Sequence, residues 1–103
     1  MGDRIEKLKE FLRENPNDSF VLHALALEYV KLGNDAQAKE LFIQILDRDP
    51  GYIGSYYHLG KLYEREGAID EALKVYKTGI LTAEGAEDRR ALNELQAAYE
   101  DLM

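Results

Sequence analysis

Apolar residues recur at helical spacing through most of the chain. Between Ser19 and Asp49, one stripe is Val21, Leu22, Leu25, Tyr29 and Leu32; a second is Ala38, Leu41, Phe42, Ile45 and Leu46. Gly33 separates the two stripes and suits the left-handed backbone at a helix end. Asn34 then stands where it can cap a second helix, with Gln37 three residues on as its capping-box partner. A break this short makes the two helices antiparallel neighbours. The pattern returns after Pro50: Tyr56, Leu59, Leu62 and Tyr63 line one helix, Gly67 breaks it, and Leu73, Tyr76, Ile80 and Leu81 line the next.

The two prolines, Pro16 and Pro50, stand 34 residues apart, and residue class repeats at the same offset. Leu25 aligns with Leu59, Tyr29 with Tyr63, Gly33 with Gly67, Ala38 with Ala72, Phe42 with Tyr76, and Ala26 with Gly60. Small residues on each helix (Ala26 with Ala38, Gly60 with Ala72) let two axes approach closely where they cross.

Two helices flank these units. Asp3-Arg4-Ile5-Glu6 reads as a capping box opening a helix with Ile5, Leu8, Phe11 and Leu12 inward. By offset, it matches the second helix of a preceding repeat. At the other end, residues 88–103 carry Leu92, Leu95, Tyr99 and Leu102 and read as a sealing helix. The expected layout is six helices, about 4–14, 19–32, 35–48, 53–66, 69–83 and 87–102, with no strand. The organisation is one domain, 1–103, comprising an N-terminal half repeat (4–16), two repeats (19–50 and 53–84) and a C-terminal helix (87–103).

Charge and composition narrow the function classes. Thirteen basic residues face twenty acidic ones, with seven and ten in residues 1–50 and six and ten in residues 51–103. No basic patch or tail results, which disfavours nucleic acid as a partner. With no cysteine, disulfides, thiolate metal sites and cysteine nucleophiles are excluded. No stretch is long and apolar enough for a bilayer, and the charged start, Met1 to Lys7, is no secretory signal; Met1-Gly2 lacks the Ser or Thr that myristoylation wants where Glu6 stands. A cytoplasmic protein without membrane contact is expected.

No constellation points to catalysis or to a cofactor. His23 and His58 occupy non-equivalent repeat positions without a carboxylate cluster, so neither a metal nor an acid–base role is expected. Asp70-Glu71 stands in a first helical turn, where negative charge offsets the helix dipole, and Glu87-Asp88 is read the same way. The glycines form no phosphate loop. Tyr56, Tyr63 and Tyr76 fall on core stripes, whereas Tyr57 leaves them and suits a contact role.

The spacing Tyr56-x2-Leu59-Gly60-x2-Tyr63, then Gly67, then Ala72-x3-Tyr76, resembles the tetratricopeptide repeat. Leu22-x2-Leu25-Ala26-x2-Tyr29, then Gly33, Ala38-x3-Phe42 and Pro50, is similar. Leu22 and Tyr56 replace the usual tryptophan, Phe11 and Ile45 stand where a small residue is usual and Gly79 conforms, and Glu84-Gly85 takes the place of a second closing proline. The resemblance implies an all-α, right-handed solenoid of antiparallel helix pairs whose first helices line a concave groove for a peptide or helix of another protein. The stripe it assigns to partner contact is Phe20, His23, Leu27, Val30 and Lys31 in the first unit and Gly54, Tyr57, Lys61, Glu64 and Arg65 in the second. Arg90 and Asn93 join it if the last helix keeps the register. Lys31, Lys61 and Arg65 imply a partner with an apolar anchor and an acidic or carboxyl end. Phe20 and Leu27 equally suit packing on the first helix. A subset of the family grips chaperone carboxylates through Lys and Asn clamps; His23, Leu27 and His58 occupy those places, so no chaperone cofactor is implied. The alternative reading is a self-associating scaffold, a homo-oligomer through an exposed apolar flank.

Overall fold

The computed structural model describes residues 2–103. Six helices occur among them: α1 (Gly2–Glu14), α2 (Ser19–Lys31), α3 (Asp35–Arg48), α4 (Gly54–Arg65), α5 (Ile69–Ala86) and α6 (Arg89–Asp101). They fall into two compact units, divided between Asp49 and Pro50. In the first, α2 packs against α3, and α1 packs on α2. In the second, α4 packs against α5, and α6 lies on both.

The helix ends follow from local chemistry. Asp18 caps α2, its carboxylate accepting from the Val21 N–H at 3.1 Å, and Asn34 caps α3 by accepting from the Gln37 N–H. Gly33 and Gly67 take φ of 78° and 82°. At each, the following N–H reaches back five residues, Asn34 to the Tyr29 carbonyl and Ala68 to that of Tyr63, both at 2.9 Å. Glu87 does the same work with φ 57°, and Asp88 donates its N–H to the Ala83 carbonyl. With no proline after it, α5 runs through Gly85 and stops only at this left-handed glutamate.

Two capping expectations need correction. Asp3 lies inside the first turn of α1, where it offsets the dipole but cannot cap; Met1 lies outside the described residues, with the start of the segment read for a leader. Asp88 is a direct N-cap of α6, accepting from the Ala91 N–H at 3.1 Å, and Glu87 is a helix terminator rather than a first-turn charge.

The first unit's core is Val21, Leu22, Leu25, Ala26, Tyr29, Ala38, Phe42 and Ile45; the second's is Tyr56, Leu59, Leu62, Ala72, Tyr76, Ala83, Leu95 and Ala98. The small residues serve ring packing more than bare axis approach: a methyl on Gly60 would overlap the Tyr76 ring, and one on Gly79 would lie 2.7 Å from Tyr56 Cβ. Three residues assigned to apolar stripes sit outward. Phe11 of α1, Leu32 at the α2 cap and Leu81 of α5 are each exposed.

Candidate functional site

In the first unit, Asp18 fixes where α2 begins, and this sets the helical phase of its outward face. Phe20, in the first turn, is 73% exposed, so it does not pack down on α1. His23, one turn later, is half-buried, its ring edge-on to Phe42 with centroids 5.4 Å apart. Leu27 and Val30 are half-buried and Lys31 is exposed. The Lys31 ammonium is 3.4 Å from Glu28, whose carboxylate also accepts from Arg4 Nε at 2.9 Å. Desolvation would raise the Glu28 pKa, but hydrogen bonds and charge from Lys31 and Arg4 together hold it below the ordinary glutamate value. Arg4 thereby ties α1 to α2 in register.

In the second unit, the equivalent face of α4 is polar and ordered. The Lys61 ammonium lies 5.5 Å from the Tyr57 ring centroid and 3.6 Å from Glu64. Glu64 in turn accepts the hydroxyl proton of Tyr76, which rises from the buried core of α5. Burial, then the Glu64 hydrogen bond and charge, push the Tyr76 phenol far above its usual range, so it remains a donor. Tyr57 also meets His58 edge-on at 5.6 Å. Burial lowers the His58 pKa, with Glu94 opposing. Tyr56 points the other way and donates to the Pro50 carbonyl at 2.6 Å, pinning the turn before α4.

Arg65 is exposed at the end of α4, and Gly54, Arg90 and Asn93 are exposed on their helices. The first unit thus brings Phe20, His23, Leu27 and Lys31 onto one side of α2; the second brings Tyr57, Lys61 and Arg65 onto one side of α4. What sequence reasoning missed is that Lys31 and Lys61 each lie against a carboxylate of their own helix. The signal was present as Glu28 and Glu64, three residues away on each helix. Among the described residues, no group of three histidine, aspartate or glutamate side chains could hold a metal ion, and no helix is long and apolar enough to cross a membrane.

A second surface escaped the sequence reading. Between α5 and α6, Ile80, Leu81, Tyr99 and Met103 line a groove of about 450 Å³ edged by Lys77 and Glu100.

The sequence profile of the tetratricopeptide repeat matches residues 29–99. The crystal structure of a tetratricopeptide repeat domain protein from Salinibacter ruber superposes with a TM-score of 0.80 at 42% identity, covering 82% of this chain and 94% of that one. The TPR2B domain of yeast Sti1, in its complex with pHsp70, superposes with a TM-score of 0.87 over 95% of this chain and 78% of that one; at 14% identity this is a likeness of fold. The human protein IFIT1 homolog B is 28% identical over 75 residues, which is 73% of this chain but only 16% of that relative's length. With the profile spanning most of the residues and the matched helix pairs in place, the chain belongs to the tetratricopeptide repeat family.

Proposed function

We propose that the chain is a binding module for another protein, with the outward face of α2 in the first unit and that of α4 in the second each offering contact residues to a partner. Repeats of this family are interaction modules rather than catalysts, and a domain of the same fold, that of yeast Sti1, forms a complex with pHsp70. The observation that carries the reading is Phe20. A phenylalanine left 73% exposed in the first turn of a well-capped helix forgoes burial in its own unit and offers apolar area to a partner. Tyr57 and Lys61 supply a polar counterpart: the cation is held between a ring and Glu64, so little side-chain freedom is lost on binding.

This placement ranks the partner's features. An apolar anchor against Phe20 and Leu27 dominates affinity. An acidic residue or terminal carboxylate adds less, because it competes with Glu28 for Lys31 and with Glu64 for Lys61. The test is fluorescence anisotropy with a peptide panel that varies an apolar anchor and a free or amidated C-terminus. Phe20→Ala is expected to weaken the best binder by about tenfold or more. Reversing Lys61 and Arg65 to Glu is expected to cost severalfold and to remove any preference for the free carboxylate. Affinity unchanged by all three substitutions would rule out these faces.

A further inference from the structure

Five connections join the six helices among the described residues, and four of them contain a helix-breaking residue. Pro16 stands between α1 and α2, Gly33 between α2 and α3, Pro50 and Gly51 between α3 and α4, and Gly67 between α4 and α5. The fifth is the shortest. Only Glu87 and Asp88 separate α5 from α6, and neither is a breaker. The run Ala83-Glu84-Gly85-Ala86-Glu87-Asp88-Arg89-Arg90-Ala91-Leu92 is mostly strong helix formers, and Gly85 is itself helical. The turn exists because Glu87 takes φ 57°, the one left-handed non-glycine residue among those described.

Charge at this junction runs against both helix ends. α1 to α4 each have a basic residue in the last turn, where it complements the carbonyl end of the dipole. The last turn of α5 has none and carries Glu84, with Glu87 at the cap; the first turn of α6 has no acid and begins Arg89-Arg90. In one continuous helix both ends vanish, and these charges are no longer misplaced. Asp88 opposes the change, because its carboxylate caps α6. No buried side chain does so at the turn itself: residues 84–90 are all exposed, and an open cleft of about 440 Å³ lies beside them, reaching Ala83 and Leu92.

We propose that the α5–α6 junction is a hinge that opens into one helix, residues 69–101 and about 50 Å long, so that two copies of the chain exchange α6. A lone chain does not stay open, because α6 buries Leu95 and Ala98 on α4 and α5, with Leu95 against Gly79. The surface α6 leaves has one matching occupant, the α6 of a second copy, which restores the contacts of the closed chain. The exchanged pair therefore differs from two closed chains chiefly at the hinges. It gains by losing two left-handed glutamates and the opposed helix ends; it loses the Asp88 caps and the entropy of association. Exchange is reciprocal, so the assembly closes at two copies. α4 of each copy, with Tyr57 and Lys61, then borders an α6 from the other, and the dimer carries two linked contact faces.

The test uses the 103-residue chain refolded from urea at about 1 mM, where even millimolar affinity registers, with mass read by sedimentation velocity. A dimer of twice the 11.8 kDa of one chain is expected, with no larger species. Two substitutions at exposed positions tilt the hinge in opposite directions. Glu87→Gly eases the left-handed turn and weakens the continuous helix, and should lower the dimerisation constant by about tenfold or more. Asp88→Ala removes the cap and favours the helix, and should raise it by about tenfold or more, since each dimer contains two hinges. Both variants should keep the helical circular dichroism of wild type. Exchange itself is read by electron paramagnetic resonance of spin labels on Lys74→Cys and Ala97→Cys in one chain, refolded with excess unlabelled chain. These exposed positions lie on neighbouring antiparallel helices, within about 20 Å in the closed chain, and about 35 Å apart along the continuous helix. A dimer whose label distance stays short is an ordinary docked pair and overturns the proposal. So does a wild-type chain that remains at 11.8 kDa at this concentration, or a dimer fraction that the two substitutions do not move in opposite directions.

Discussion

The α2–α3 and α4–α5 pairs place different chemistry on the same repeat positions. In the first, Ala26 goes with Phe42, and the outward residues His23, Leu27 and Val30 form a mostly apolar column whose histidine rests edge-on against the phenylalanine. In the second, Gly60 makes room for Tyr76, and Tyr57, Lys61 and Glu64 form a polar column tied to the tyrosine hydroxyl. One phenol oxygen distinguishes the two core rings. Once present in a buried setting it needs an acceptor, and Glu64 supplies it. Glu64 in turn sets the place of Lys61. A core substitution is thus coupled to the character of the surface one turn away.

That coupling can be broken at its tightest point first. Gly60→Ala should cost about 1–3 kcal/mol in urea denaturation although alanine is the better helix former, because the added methyl overlaps the Tyr76 ring. The matched change in the other unit, Ala26→Gly, should cost only about 1 kcal/mol. A Gly60→Ala protein as stable as wild type would mean the ring is not seated there. Tyr76→Phe makes the second core ring like the first. It should cost about 1 kcal/mol and loosen Lys61, seen as slower transverse NMR relaxation of its terminal methylene. Glu87→Gly should stabilise by about 0.5–1 kcal/mol, since glutamate holds φ 57° where Gly33 and Gly67 hold the equivalent turns without a Cβ.

The smallest effect is one of pH. Burial lowers the His58 pKa in the folded chain, so the unfolded chain binds the proton more readily. The neutral form is favoured above the unfolded value of about 6.5, and stability is lost as pH falls through it. The urea midpoint should drop between pH 7.5 and 5.5 by more in the wild type than in His58→Gln. His23, against Phe42 in the other unit, makes His23→Gln the useful control for histidine content.

The sequence alone determined the helices, their order and the repeat. The matched positions from Leu25/Leu59 to Phe42/Tyr76 encode which face each helix must bury, and Gly33, Gly67 and Asn34 encode where the chain turns, because left-handed φ and side-chain capping are local requirements. It also fixed which residues share the outward faces of α2 and α4, since helical phase follows from the buried stripe. Tertiary structure decided the rest. Whether Phe11, Phe20 and Leu81 are covered depends on neighbours that helical periodicity does not name. Lys31 and Lys61 are engaged by Glu28 and Glu64 through side-chain placement, and α5 overran its expected end until Glu87 adopted a conformation that its residue type disfavours. Periodicity tells a residue which way to face; only the packed chain says what, if anything, is there to meet it.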